Sequence, residues 1–242
     1  MKQDACNMIP QTQAAATLAV DAVLFDLDGT LVDSVADLYL GVCGMLRDLG
    51  RPEIPVEDVR AYVGRGMHNL VKRVLAGSLD AIDDPAPAPQ HAVDSFRKHY
   101  AEANGKHATC YPGVIEGLQM LKAKGIPMAV ITNKPDAFTL PLVEQLGLAG
   151  FFDVVVGGDR FPRQKPDPMP LIWTCGRLGV APRHTLFVGD SVNDFLAGRA
   201  ADCHVYLLPY GYNEGKDVRE LACDAIVPTV ACAAERIVKR QS

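Results

Sequence analysis

The chain has 242 residues, 48% of them hydrophobic and 22% charged, and carries a net charge of −5; it is long enough for one large domain or a core with an insertion. The acidic balance excludes nucleic acid as the main partner, because no basic stripe is available to neutralise phosphates, while a local group of cations could still hold a small anionic substrate. No apolar stretch approaches the roughly 20 residues of a membrane span, and the seven scattered cysteines contain no C-x-x-C pair, which excludes zinc and thioredoxin-like sites and fits incidental thiols in a cytoplasmic protein.

Residues 1–19 are polar and Ala-rich, with only Lys2 as a basic flank to the apolar run that Asp21 interrupts. A secretory signal is not expected, and the segment reads as a flexible N-terminal extension. Val23, Leu24 and Phe25 then form an apolar run typical of a strand buried on both faces of a parallel sheet. It ends in two carboxylates, Asp26 and Asp28. Side chains at i and i+2 of an extended backbone point the same way, so the pair starts out facing one point. Like charges that close repel unless a cation sits between them. Gly29 permits a sharp turn, and Thr30 supplies a hydroxyl at the mouth of the same site.

Apolar residues from Val35 to Leu49 recur at helical spacing, with Gly50 as a stop. Residues 55–63, 66–77 and 90–104 also read as helices, and the Pro/Ala stretch 83–89 reads as an exposed, extended linker. No strand is expected between 34 and 107. From Pro112 strands and helices alternate: strands at 128–131, 154–156, 185–188, 204–208 and 225–227, and helices to Gly125, over 136–147, 168–179 and 192–201, and from about 229. This grammar implies an α/β fold, with a mainly parallel sheet in a three-layer α/β/α, Rossmann-like core. Residues 20–33 and 109–242 would form that core, and residues 34–108 a helical insertion.

In open α/β sheets ligands bind outside the carboxyl ends of the strands. Those ends deliver Asp26 and Asp28, Thr132 and Asn133, and Asp190 with Asp194 close behind, while Lys165 sits in a loop stiffened by Pro166 and Pro168. Clustered carboxylates suit a hard cation that keeps several waters, the profile of Mg²⁺. A hydroxyl and a lysine suit the oxygens of a phosphoryl group.

These residues resemble the four motifs of the haloacid dehalogenase superfamily. The carrying stretches are Asp26-Leu27-Asp28-Gly29-Thr30-Leu31-Val32-Asp33-Ser34, Thr132, Lys165 and Gly189-Asp190-Ser191-Val192-Asn193-Asp194. The resemblance implies that Asp26 is a nucleophile forming a phosphoaspartyl intermediate and that Asp28 is the general acid and base. It implies Mg²⁺ held by Asp26, the Asp28 carbonyl and Asp190. Thr30, Thr132, the Asn133 N–H and Lys165 would address the phosphoryl group, with Asp194 and Asp33 in support. The insertion resembles the superfamily's mobile cap, with hinges near 33–35 and 108–112. Asp28 at the acid/base position disfavours dehalogenation.

Within the superfamily the likeness is to the bacterial phosphoglycolate phosphatases, carried by Thr132-Asn133-Lys134-Pro135, Lys165-Pro166-Asp167-Pro168-Met169-Pro170-Leu171 and Tyr210-Gly211-Tyr212-Asn213. It implies Mg²⁺-dependent hydrolysis of 2-phosphoglycolate, a small phosphorylated metabolite, by a monomer or homodimer. Arg65, between Gly64 and Gly66, is the candidate reader of the substrate carboxylate. The alternatives are a phosphatase for a sugar or amino-sugar phosphate, a phosphomutase, or a module that stores a phosphoryl group without turnover. The presence of Asp28 and a cap argues against the last.

Overall fold

The computed structural model describes residues 17–241. Strands β1 (Leu18–Val20), β2 (Ala22–Phe25) and β3 (Val32–Asp33) precede helices α1 (Val35–Asp48), α2 (Val56–Tyr62), α3 (Met67–Ala76) and α4 (Gln90–Ala103). Then follow β4 (Thr109–Cys110), α5 (Val114–Ala123), β5 (Met128–Ile131), α6 (Asp136–Gln145), β6 (Val154–Val156), α7 (Met169–Leu178) and β7 (Thr185–Gly189). The chain closes with α8 (Val192–Ala200), β8 (His204–Leu207), β9 (Ala225–Ile226), α9 (Val230–Glu235) and β10 (Ile237–Lys239). No helix among the described residues is long and apolar enough to cross a membrane.

The six-stranded sheet runs β6-β5-β2-β7-β8-β9, every neighbouring pair parallel. Alternation along β2 explains why its residues are all apolar. Val23 and Phe25 join the cluster built with Val114, Leu118 and Leu121 of α5 and Val230 and Ala233 of α9. Leu24 faces the opposite layer, with Leu171 and Cys175 of α7 and Ala197 of α8. A strand covered on both faces needs a continuous apolar run. The chain leaves β2 toward β5 and β6 on one side and returns to β7 and β8 on the other. The carboxyl ends of β2, β5 and β7 therefore flank the point where strand order reverses, which is where such sheets bind ligands.

Two small pairings lie beyond the sequence expectations. β1 pairs in parallel with β10, burying Val20 and Ile237 completely. Leu18 and Ala19 thus belong to a strand rather than to the flexible extension; residues 1–16 of that extension lie outside the described residues. The final helix is correspondingly short, ending at Glu235 before β10. β3 pairs antiparallel with β4, so the two crossings between core and insertion run side by side.

Helices α1–α4 enclose a cluster of their own, including Val42, Met45, Val59, Val71, Val93 and Phe96. The linker is exposed as expected except for Ala88, which is buried against α1–α4. At the neck, Asp37 accepts N–H bonds from Gly105, His107 and Ala108 (2.8, 2.9 and 3.2 Å). The Tyr212 hydroxyl donates to Asp33 Oδ1 (2.5 Å) and accepts from the N–H groups of Ser34 and Val35, the start of α1. Asp33 is therefore tied to the loop after β8 at the crossing from core to insertion.

The insertion is also latched to the core by charge. Glu214, in a left-handed backbone conformation (φ 53°), receives Arg73 Nη2 at 2.5 Å and Arg65 Nε at 2.8 Å. The Arg73 side chain is 1% exposed and also donates to the carbonyls of Tyr62 and Leu79. Removing one partner of a buried pair leaves an uncompensated charge at a cost of about 3 kcal/mol. Glu214→Ala should lose about that much stability in urea unfolding; a variant as stable as the parent would show that the latch contributes nothing.

Candidate active site

The site assembles on the carboxyl edge of the sheet. Asp26 follows β2 directly, and its N–H donates to Val188 on β7 (3.0 Å). Beyond Leu27 the backbone stops being extended: the Leu27 carbonyl accepts from the N–H groups of Thr30, Leu31 and Val32. The turn separates the two carboxylates. Lys165 Nζ lies 2.8 Å from Asp26 Oδ1 and 2.7 Å from Asp194 Oδ1. Asp28 instead accepts from Lys134 Nζ (3.0 and 3.3 Å) and from Ser34 Oγ (2.6 Å). The two side chains therefore do not share a partner: each has its own lysine.

Asp26, Asp190 and Asp194 bring one carboxylate oxygen each within 4.8 Å of the others, all three buried. Burial is the main reason the Asp26 carboxyl is pushed up to about 7; Lys165 opposes that rise and Asp194 adds to it. Asp190 is raised well above the usual carboxylate range by burial and then by its two acidic neighbours. Burial works to lower the Lys165 ammonium, but Asp194 and Asp26 outweigh it, and the lysine stays charged.

The supports of this cluster are specific. Thr30 Oγ1 donates to Asp190 Oδ1 (2.5 Å), and the Tyr212 N–H donates to Oδ2 (2.6 Å). Thr30, expected to address a phosphoryl oxygen, is fully buried and serves Asp190 instead. Asp194 Oδ2 accepts from the N–H groups of Asp190 and Ser191 and from Ser191 Oγ, closing a capping box at the start of α8. Its other oxygen holds Lys165. A Cβ on Gly29 or Gly211 would lie 2.3 or 2.2 Å from Asp190 Oδ2, so both positions must be free of a side chain.

Asp194 gives one oxygen to Lys165 and the other to its capping box, Asp190 meets only neutral donors, and Asp26 Oδ1 has an ion-pair neighbour but no hydrogen bond. Three buried acids against one lysine leave an excess of negative charge, and an all-oxygen donor set suits a hard divalent cation. The residues present fit Mg²⁺, with Asp26 and Asp190 as the side chains placed to hold it.

Beside this cluster lies a narrow cleft of about 50 Å³ between core and insertion. The core contributes Asp26, Asp28, Thr132, Asn133, Lys134 and Phe138; the insertion contributes Leu38, Val63, Met67, Leu70, Phe96 and Tyr100. Asn133 ties the parts together through its side chain, donating to the Gly64 and Lys165 carbonyls and accepting from the Lys165 N–H. Arg65 does not line the cleft. Its guanidinium pairs with Glu214, because the Gly64–Gly66 loop presents only backbone to the cavity. Reading the sequence missed Lys134, which lies in the cleft wall. Its signal was position, directly after Thr132-Asn133 at the end of β5.

The sequence model described as haloacid dehalogenase-like hydrolase matches residues 23–208. The chain belongs to this family of enzymes. Its relatives sharpen that assignment toward phosphatases. The protein named phosphoglycolate phosphatase from Thiobacillus denitrificans is 47% identical over 92% of this chain and 97% of its own length. The phosphoglycolate phosphatase of Nitrosospira multiformis matches at the same identity and coverage. Among solved structures, one described as a predicted phosphoglycolate phosphatase from Haemophilus somnus superposes with a TM-score of 0.82 at 33% identity, covering 89% of this chain and 97% of that one.

The raised Asp26 carboxyl has a measurable consequence. The folded, metal-free protein holds that proton more tightly than the unfolded chain, so this group's stability contribution is lost as pH rises from about 4 through about 7. A divalent cation that binds the ionised form should offset the loss. The melting-temperature gain on adding Mg²⁺ to chelated protein should therefore grow between about pH 5 and pH 8, and the growth should shrink in Asp26→Asn to the part that Asp190 supplies. A gain that does not vary with pH would rule out Asp26 as a ligand. Gly211→Ala should weaken Mg²⁺ binding at least about tenfold by titration calorimetry, because the new Cβ displaces the Asp190 carboxylate.

Proposed function

We propose that this enzyme hydrolyses 2-phosphoglycolate to glycolate and phosphate through a phosphoaspartyl intermediate on Asp26, with Mg²⁺ as cofactor. The observation that carries the reading is that two carboxylates lining one cleft pair with two different lysines. Asp26, held beside Lys165, is suited to attack phosphorus, forming a P–O bond as the bond to the ester oxygen breaks. Asp28, held by Ser34 and Lys134 on the side of the insertion, is suited to donate a proton to the departing alkoxide. It then takes a proton from water, whose oxygen attacks phosphorus and releases the Asp26 carboxylate. Lys165 offsets charge on the phosphoryl oxygens, with Thr132 and the Asn133 N–H as the expected partners of those oxygens. Mg²⁺, held by Asp26, Asp190 and the Asp28 carbonyl, would supply the charge that lets an anionic nucleophile approach an anionic substrate.

The cleft supports a small leaving group. The insertion lines it with Leu38, Val63, Met67, Leu70 and Phe96, and only Tyr100 brings a polar side-chain atom from that side. A sugar ring would leave several hydroxyls facing apolar walls without partners, which is costly. That composition favours glycolate over a sugar phosphate, in line with the names carried by the 47%-identical relatives.

Phosphate release from 2-phosphoglycolate, sugar phosphates and an amino-sugar phosphate tests the reading. Release should be fastest with 2-phosphoglycolate, stop with chelator, and fall roughly 10³-fold or more in Asp26→Asn. A sugar phosphate as the best substrate would overturn the substrate assignment and leave the mechanism standing.

A further inference from the structure

A substrate that carries a carboxylate needs a cation placed to read it, and Arg65 is engaged with Glu214 outside the cleft. Lys165 lies between Asp26 and Asp194, on the phosphoryl side. Among the described residues, Lys134 is the only cation that lines the cleft. Its side chain is 4% exposed, and its ammonium touches both oxygens of Asp28 and the hydroxyl of Tyr100. In that contact Tyr100 is the acceptor, and no acceptor for its own O–H is present among the described residues.

We propose that Lys134 and Tyr100 together form the carboxylate-binding subsite, an assignment that rests on the 2-phosphoglycolate reading above. The chemistry of the substrate fixes where such a subsite must be. One methylene separates the ester oxygen from the carboxylate carbon, so the group that protonates the ester oxygen and the cation that reads the carboxylate must be neighbours. Asp28 and Lys134 are neighbours at 3.0 Å. The Tyr100 O–H adds a second donor, giving the two carboxylate oxygens two distinct partners. Both groups are held rigidly. The Tyr100 ring stacks on Phe96 with centroids 5.4 Å apart and meets Phe138 at 4.9 Å, and Lys134 Nζ lies 4.8 Å from the Tyr100 ring centre.

The subsite also straddles the two parts of the molecule, with Tyr100 on α4 of the insertion and Lys134 on the core loop after β5. It is complete only while the insertion is seated. A substrate lacking the carboxylate would bind the phosphoryl site without drawing the two parts together.

The test compares 2-phosphoglycolate with 2-phosphoglycolamide, which has the same shape and no carboxylate charge, in the full-length protein. Wild type should prefer 2-phosphoglycolate. Tyr100→Phe, which keeps the ring and its packing, should lose roughly tenfold of that preference, mainly through KM; Lys134→Met should lose roughly 100-fold, with partial recovery in Lys134→Arg. Equal losses on both substrates would overturn the subsite and leave Lys134 as a support for Asp28 alone, with the substrate reading intact. A wild type that turns over neither compound, or does not distinguish them, would instead overturn the substrate reading and the subsite with it.

Discussion

Three buried carboxylates cluster at the carboxyl edge of the sheet around a single lysine that pairs with two of them, and much of the surrounding architecture follows from holding them there. Each of Asp26, Asp190 and Asp194 loses hydration on burial, a cost that only hydrogen bonds and opposite charge can offset. The chain supplies the offsets from separate elements: Thr30 from the turn after β2, the Tyr212 N–H from the loop after β8, and the capping box of α8 for Asp194. Room is made by omission. A Cβ at Gly189 would lie 2.3 Å from the Asp194 Cβ, and one at Gly29 or Gly211 would strike Asp190. What these supports do not cancel is the net negative charge, which a divalent cation would offset.

The insertion bears a different part of the task. Its own apolar cluster makes it a unit, yet it meets the core through Glu214, the Asn133 side chain, Tyr212 and Tyr100. Of these, Asn133 and Tyr100 line the cleft itself. The carboxylate cluster is thus held by the sheet edge, and the cleft by the seam between the two parts.

The core was legible because its signals are long and redundant. Short apolar strands, several of them buried on both faces, that alternate with helices leave few other readings. Asp26, Asp28, Asp190, Asp194 and Lys165 were legible because strand ends collect ligands and because the motifs carrying them are distinctive. The pairings β1–β10 and β3–β4 were not, since two or three residues cannot establish a period and their partners lie far along the chain. Arg65 illustrates a second limit. A guanidinium between two glycines looks free to meet a ligand, but its partner Glu214 is 149 residues away and no local pattern points to it. Thr30 failed for a related reason: its hydroxyl is claimed by Asp190, 160 residues on.

The two acids after β2 show how one strand end can yield two different groups. Residues at i and i+2 would share an environment only if the backbone stayed extended. It does not, because the Leu27 carbonyl gathers three N–H groups and turns the chain immediately. Asp26 stays in the sheet edge, among acids, where burial raises it to about 7 and Lys165 limits the rise. Asp28 is carried toward the seam, beside Ser34 and Lys134, outside the carboxylate cluster. A nucleophile should be a stripped anion pinned by positive charge, and a proton donor should stand where the leaving group departs. A two-residue spacing and one tight turn are enough to place one carboxylate in each setting, and the lysine beside each is what keeps the settings apart.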